Sequence, residues 1–543
     1  MREKRPIVFI AFVAGFLFLA CNMFIQSRLD DSIRENKLID EQFIEGAPPM
    51  VAFTTVALGG FRGLIADFLW LRAISLQDQG KYFEMVQLAS WIMKLQPKST
   101  ATAAYLAWNM AYNISVTYSS PVDRWRWVNR GLDLYHEAMQ YNPNDPVLYK
   151  ELGWIYQHKL GNILDDAQRY YKYQMALRMM TILGRHYPDW KMLAAAPATE
   201  DALRAALKPD STFYTVLKEA GYESLSMLSE AFREAAGTFP EKLASRMKNK
   251  EEIELVTNYM RVRWLKEVTM LSPADILKVN EKYGDLDWVL PESFAIYWAM
   301  LGIEKSPDRQ SIDCSRMITQ SLQVTFTNGR MLLPDDKPAE DFLLIPNFSV
   351  ADAVRQSYLD AIEENPDIKS FRDAYENFMS RAITTMYSYG QYTKAQQFYD
   401  YLTDHKKNRA TRLPFDQYVL KQWQEEIRDA GFKQANDMIN GLIFRSCILL
   451  GYGDKTAADA HLQLARMAYN RYMKDMGTET RTQLPPFSQM TSEIAQACIR
   501  NLPKGIADRI KAQLLLESQQ APEAAESQVE NNKAEAKPAP AGK

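Results

Sequence analysis

Apolar residues recur at helical spacing along most of this chain. In residues 63–97, the side chains of Leu64, Phe68 and Leu71 fall on one face of a predicted helix that ends at about Gly80. Glycine ends a helix readily because it adopts the left-handed conformation at little cost. A second amphipathic segment follows and stops at a proline. The pattern therefore predicts a helical hairpin of about 34 residues, which must stack on a neighbour to bury its apolar stripe.

Two further units continue this pattern. The second covers residues 100–141 with a long turn at residues 115–121, and the third begins at Pro146. A proline in the first turn favours a helix, since the N–H that it lacks would be unpaired there. Hairpin-like patterns return in residues 374–402 and 440–472. Together these segments predict an all-α fold built by stacking helical hairpins.

The third unit carries a motif with aromatic, leucine and glycine residues at fixed spacing, aromatic-x-x-Leu-Gly-x-x-Tyr. Its first half is matched by Tyr149, Leu152, Gly153 and Tyr156, and its second half, in the preceding unit, by Gly131, Tyr135, Ala138 and Pro143. These residues resemble the tetratricopeptide repeat (TPR). The resemblance implies an α-α superhelix of TPR-like hairpins, with inserted residues in the second and third units.

The same resemblance implies where a partner would bind. TPR proteins hold a protein or peptide on their concave face, through side chains of the first helix of each repeat. The corresponding residues here are Asn109, Tyr112, Tyr149 and Tyr156, of which the last two are also candidates for packing. We therefore expect a scaffold rather than an enzyme.

The rest of the chain divides into regions of different composition. The predicted regions are an anchor (1–27), a stalk with an apolar lead-in (28–58), TPR-like repeats (59–190), an irregular helical region (191–321), a β-hairpin or loop insertion (322–365), a C-terminal TPR-like region (366–518) and a disordered tail (519–543). Asn328-Gly329 lies between two β-like runs and predicts the hairpin turn. We expect this insertion to project from the helical body as a contact surface.

Residues 7–25 are nearly all apolar and follow Arg2, Lys4 and Arg5. A stretch of this length is about enough to span a bilayer as a helix, and the preceding basic residues place the N-terminus in the cytoplasm. We interpret it as an uncleaved signal anchor, with a cleaved signal peptide or a lipoprotein modified at Cys21 as alternatives. Each interpretation predicts an exported body, as in a single-pass protein of the bacterial inner membrane with its bulk in the periplasm.

The composition argues against several kinds of site. The 543 residues carry a net charge of −3 with a pI near 6.1, which gives no electrostatic case for nucleic-acid binding. The four cysteines (Cys21, Cys314, Cys447, Cys498) form no CxxC pair, so no disulfide is indicated, and the histidines lack metal-ligand spacing. Phosphate-loop and dinucleotide-binding motifs are also missing from the sequence, so we expect no cofactor.

Glu292-Ser293 resembles the glutamate-serine pair of lytic transglycosylases, in which the glutamate is the general acid. The glycine-rich segment of that family is missing downstream. The alternative is an acid at a helix start, where the helix dipole favours a negative charge. The sequence thus predicts a membrane-anchored TPR scaffold in an envelope complex for secretion, pilus assembly or transport, with a glycan-cleaving enzyme using Glu292 as the alternative.

Other charged positions allow two interpretations each. Arg62, Asp67 and Arg72 form either a buried ion pair or partner-binding charges on an apolar helix. In the run from Arg124 to Trp127, Trp125 is expected to pack in the core and the arginines to face solvent or cap a helix. Stacking of this run on a sugar or a base is the alternative. The pair Asp165-Asp166 is expected to be a solvated helix start.

Overall fold

The computed structural model describes residues 61–96, 99–247, 249–306, 312–333, 340, 342–364, 366–405, 413–428, 432–476 and 483–516, with isolated positions between 15 and 35. The predicted tail and most of the predicted anchor and stalk therefore lie outside the described residues. In the part that is described, no helix has the length and apolar character needed to cross a membrane.

The described chain is helical with one small sheet. The α-helices are α1 (Phe61–Asp78), α2 (Tyr82–Leu95), α3 (Thr100–Trp108), α4 (Pro121–Tyr141), α5 (Pro146–Trp154), α6 (Gln168–Leu183), α7 (Trp190–Ala195), α8 (Glu200–Ala206), α9 (Phe213–Glu219), α10 (Leu225–Glu234), α11 (Glu241–Ala244), α12 (Lys250–Thr269), α13 (Pro273–Tyr283), α14 (Pro291–Lys305), α15 (Ile312–Asn328), α16 (Ala351–Glu364), α17 (Lys369–Ser388), α18 (Tyr392–His405), α19 (Phe415–Arg428), α20 (Phe432–Gly451), α21 (Lys455–Met476) and α22 (Phe487–Asn501). Residues 504–516 are also helical. The predicted all-α class is confirmed.

The chain forms two compact bodies, Met1–Leu106 and Ala107–Lys543, with the boundary inside α3. We keep the word unit for the helical hairpins. In the first body, α1 and α2 form the predicted hairpin around a turn at Gly80, whose φ is +70°. Its buried residues are small or flexible side chains: Ala66, Ala73, Leu76, Met85, Ala89 and Ile92. Gly80 therefore specifies the turn, whereas Leu64, Phe68 and Leu71, which were predicted to form the buried face, are more than 60% exposed.

In the second body, the TPR-motif helix α5 packs against α14, more than 130 residues further along the chain. Tyr149 contacts Trp298 with ring centroids 5.9 Å apart, and Tyr156 stacks on Phe294 at 4.7 Å. A Cβ added to Gly153 would lie 2.8 Å from the sulfur of Met317 on α15 and 3.4 Å from the backbone oxygen of Ala295, so the glycine leaves room for both neighbouring helices. The motif thus marks a real helix crossing, although its partner is distant in sequence.

Between these helices, residues 200–269 form short helices with a hydrophobic core of their own. Polar side chains start several helices here, because an N-cap oxygen accepts a hydrogen bond from an otherwise unpaired N–H. Thr199 accepts from the N–H of Ala202 at the start of α8. Ser272 accepts from the N–H of Asp275 at the start of α13.

The sheet differs from the prediction in position and setting. Residues 322–328 are the end of α15, because their buried side chains continue the helical period of Cys314, Met317 and Ile318. The strands are β1 (Arg330–Leu332) and β2 (Leu343–Ile345), paired antiparallel with Met331 opposite Leu344. Asn328-Gly329 therefore ends a helix and does not turn the hairpin.

The sheet also does not project from the body. Met331 and Ile345 are buried, and β2 packs with Tyr389, Leu449 and Leu450 of the C-terminal helices. The two strands therefore do not project as expected, because they fill a space between helices, and residues 334–339 and 341 between them lie outside the described residues. In the C-terminal part, α17 with α18 and α20 with α21 form hairpins, and α22 packs on α20.

Candidate functional site

The first helices of the second and third units both widen into π-helical turns. Asn109–Ile114 continues α3, and Ile155–Gly161 continues α5. π-helical turns are rare and are found often at functional sites. Three of the four predicted partner-binding residues, Asn109, Tyr112 and Tyr156, lie within these turns.

Four aromatic side chains connect the two turns in a continuous contact, which we call the aromatic ladder: Trp108, Tyr112, His158 and Trp154. Trp108 stacks on Tyr112 with ring centroids 5.4 Å apart, and Tyr112 contacts His158 at 5.8 Å. His158 and Trp154 stack almost in parallel, 4.9 Å apart with an interplanar angle of 8°. The two tryptophans at the ends are each 39% exposed, so the ladder presents aromatic faces to solvent.

The middle of the ladder has unused hydrogen-bonding capacity. Within the described residues, the hydroxyl of Tyr112 and Nδ1 of His158 are buried without a hydrogen-bond partner. Burial raises the pKa of Tyr112, and the nearby carboxylates of Glu151 and Asp165 raise it further. Burial and then the charge of Lys159 lower the pKa of His158. Both rings are therefore uncharged at neutral pH.

A buried ionic layer lies beneath the ladder. Lys159 is 3% exposed, with its Nζ 2.5 Å from Oδ2 of Asp165 and 5.5 Å from the centre of the Tyr112 ring. Arg124 contacts the carboxylates of both Asp165 and Asp166 and donates to the carbonyl oxygen of Tyr118. Two cations and two carboxylates balance in charge, and the charged network fixes α4 relative to the loop before α6.

The ionic layer corrects two expectations. Asp165 is not a solvated helix start, since its side chain is 9% exposed, whereas that of Asp166 is 82% exposed. Arg124 does not face solvent either, because it inserts between the loops to reach both carboxylates. Trp125 packs in the core as expected, stacked on Tyr171 at 5.8 Å.

Glu292 begins α14, as predicted, and is also buried. It is 4% exposed, and its Oε1 lies 3.5 Å from Nζ of Lys172, which donates to the carbonyl oxygen of Gly161 at the end of the second π-helical turn. Its other oxygen, Oε2, has no hydrogen-bond partner among the described residues. Glu292 thus connects α14 to the third unit, a contact that its sequence neighbours do not indicate.

The other predicted site residues are placed as follows. Asn109 is fully buried and accepts a hydrogen bond from Asn113. Tyr149 is 8% exposed and donates to the carbonyl oxygen of Pro143, and Tyr156 is 3% exposed. All three are packed, so Tyr112 is the member of the predicted set that reaches the ladder.

The charged residues of α1 were misjudged. Asp67 and Arg72 are both exposed, so the buried ion pair expected from Arg62, Asp67 and Arg72 was wrong. The side chain of Arg62 lies outside the described residues. On α1, the apolar side chains themselves face outward, and the helix is therefore not polar on its exposed face.

Two openings lie near these features. A groove of about 430 Å³ runs between α5 and α15 and includes Trp154 of the ladder. Its lining is charged and polar around the indole: Lys150, Glu151, Trp154, Gln157, Asp313, Arg316, Met317 and Gln320. A separate cavity of about 240 Å³ is lined by His186, Trp190, Trp288 and Arg330 with their neighbours. Nε2 of His186 lies 2.9 Å from Oδ1 of the buried Asp287.

Comparisons with known proteins agree with the helical architecture. No protein-family model matches the chain. The chain is similar to the photosystem I assembly protein Ycf3 of Synechococcus sp. (strain CC9605), with 26% identity over 136 residues, which are 25% of this chain and 71% of that protein. Ycf3 is a TPR-repeat protein. This distant similarity and the helical hairpins together support a TPR-like chain.

Proposed function

We propose that this protein is a TPR-type scaffold that binds an extended segment of a protein partner along the aromatic ladder. The observation that carries the proposal is the continuous contact of Trp108, Tyr112, His158 and Trp154 across two units, with both ends open to solvent. Aromatic residues are enriched at protein interfaces because they bury large area at low entropic cost.

The chemistry of the ladder favours a peptide with aromatic or arginine side chains. Such side chains stack on indole and imidazole faces. The groove beside Trp154 continues the surface with both signs of charge, from Lys150 and Arg316 to Glu151 and Asp313.

The similarity to an assembly protein is consistent with this role. We infer that the scaffold holds its partner within a complex at a membrane, such as an envelope assembly for secretion, pilus formation or transport. The residues of the ladder occupy the first helices of their units, which in the TPR resemblance line the concave face. The partner would therefore be a protein or peptide, with no cofactor involved.

Membrane attachment is part of the same proposal. It is supported by the apolar residues 7–25 and by α1 and α2, on which Leu64, Phe68, Leu71 and Phe83 are more than 60% exposed. Exposed apolar patches of this kind mark contacts with proteins or membranes. Full-length protein should sediment with the bacterial inner membrane, and removal of residues 1–27 should reduce this; full-length protein in the soluble fraction would refute the anchor.

The binding proposal is tested by crosslinking and recovery of the partner. A photoreactive amino acid in place of Arg316, which lines the groove beside Trp154, should crosslink one stoichiometric partner from membranes. Trp154→Ala should lower the affinity of that partner at least about tenfold, as for interface tryptophans in general. Tyr392→Ala, an exposed aromatic outside the ladder, is the control and should not change it. Equal losses in both variants, or no partner at all, would contradict the proposal.

The geometry supports the glycan-cleaving alternative less well. Glu292 is 4% exposed and lies 3.5 Å from the buried Lys172, whereas a general acid must reach its substrate. An assay of murein cleavage with the wild-type protein and Glu292→Gln distinguishes the two functions. The scaffold proposal predicts no cleavage by either protein.

A further inference from the structure

Two of the four cysteines meet inside the C-terminal helices. Cys447 on α20 and Cys498 on α22 are 9% and 2% exposed. They belong to one apolar cluster with Ala495, Ile506 and Ile510, and the two thiols hydrogen-bond to each other. Both are reduced in this structure. The sequence did not indicate this pair, because 51 positions separate the two residues.

We propose that Cys447 and Cys498 are a site of disulfide formation that joins α20 to α22 when the chain meets an oxidising thiol–disulfide pool. Disulfides need side chains that already lie close together, since the bond tolerates little deviation in geometry. Two thiols in direct contact on packed helices meet this condition without a change of fold. The bond would close a loop of about 50 residues that contains all of α21.

The reaction requires an oxidant with a disulfide bond, such as oxidised glutathione. One cysteine of the pair loses its proton, and its thiolate attacks one sulfur of the oxidant, whose S–S bond breaks and releases one thiolate. The other cysteine then loses its proton, and its sulfur attacks the first cysteine's sulfur in the mixed disulfide and releases the second thiolate. The two protein thiols lose two protons and two electrons in total, and the oxidant is reduced to two thiols.

Either cysteine can be the first nucleophile, because the two thiols hydrogen-bond and share their protons as a pair. Because both sulfurs are buried, the exchange occurs during folding or when the C-terminal helices open locally.

The test uses the full-length chain, refolded with oxidised or with reduced glutathione and then treated with N-ethylmaleimide. Trypsin cleavage after Arg445, Lys455, Arg481 and Arg500 separates the two cysteines into peptides 446–455 and 482–500. The oxidised sample should contain these peptides joined by a disulfide, and the reduced sample should contain both alkylated. Alkylation of both cysteines after oxidation, or pairing of either one with Cys314 or Cys21, overturns the proposal.

Thermal unfolding provides an independent measurement. Oxidation should raise the unfolding midpoint of the C-terminal helices by about 5 °C or more, because the disulfide restricts the unfolded chain. The shift should vanish in Cys447→Ser and in Cys498→Ser. It should persist in Cys314→Ser, which replaces a cysteine of α15 outside the pair. A shift that survives in Cys447→Ser would also overturn the proposal.

Discussion

Adjacent carboxylates in the ionic layer provide a matched pair of variants. Asp165 and Asp166 both contact Arg124, but their side chains are 9% and 82% exposed. Replacing either aspartate by asparagine removes one negative charge and almost preserves the shape. We expect Asp165→Asn to destabilise the third unit strongly and Asp166→Asn to change it little, because the surrounding solvent already screens the exposed carboxylate.

The size of the effect follows from the partner that Asp165 leaves behind. Lys159 is 3% exposed, and its Nζ contacts this carboxylate at 2.5 Å. Removing one member of a buried pair costs about 3–5 kcal/mol, since the other charge stays buried and uncompensated. Asparagine still accepts from the N–H of Ala167, so the lower end of about 3 kcal/mol is expected. Arg124 keeps Asp166 and adds little to the loss.

Hydrogen exchange measures this loss locally. A local measurement is needed because a chain of two compact bodies need not unfold in one step. Amides of α5 and α6 that exchange by opening of this unit should exchange about 100-fold faster in Asp165→Asn, since each 1.4 kcal/mol is a factor of ten. Adding Lys159→Met should restore part of the protection by removing the uncompensated charge. Equal exchange in Asp165→Asn and Asp166→Asn, or no recovery with Lys159→Met, would refute the reasoning.

Two further variants test packing and titration. Burial lowers the pKa of His136 to about 4, below the unfolded value near 6.5, so only the unfolded chain takes up a proton between these values. Stability should therefore fall by about 3 kcal/mol from pH 6.5 to pH 4 relative to His136→Phe, as measured by urea unfolding across this range. Gly131→Ala places a Cβ 2.8 Å from the backbone oxygen of Ala107 and should cost about 1–3 kcal/mol, whereas Gly441→Ala, on an open helix face, should be neutral or stabilising in the same assay.

The sequence predicts well where the determining contacts are local. The turn between α1 and α2 follows from Gly80, and the helix starts at Thr199 and Ser272 follow from capping. Tyr149 and Gly153 predict a helix that packs closely on a neighbour, although they do not identify α14 as that neighbour. Each of these signals lies within a few residues of the feature that it predicts.

The sequence fails where the partner is distant or where a short motif competes with a longer period. Asn328-Gly329 is a strong turn signal, but the helical burial period of α15 extends as far as Phe326, and the segment therefore forms a helix up to Asn328. The sequence predicts Asp165 to be a surface acid, and its burial becomes clear only from its contacts with Lys159 and Arg124. The ladder was only partly predicted, through Tyr112, because the Tyr112–His158 contact that joins its two aromatic pairs crosses between helices.

The ladder also contains an internal duplication. Trp108 with Tyr112 and Trp154 with His158 are two aromatic pairs, each spaced four residues apart and each at the entry to a π-helical turn, 46 positions from one another in the chain. For a flexible partner strand, such a surface is bivalent: once one pair is engaged, the second binds from a high effective concentration. Disabling either pair would then cost the strand its avidity and not only half of its contacts, and partners with a single aromatic anchor would be discriminated against.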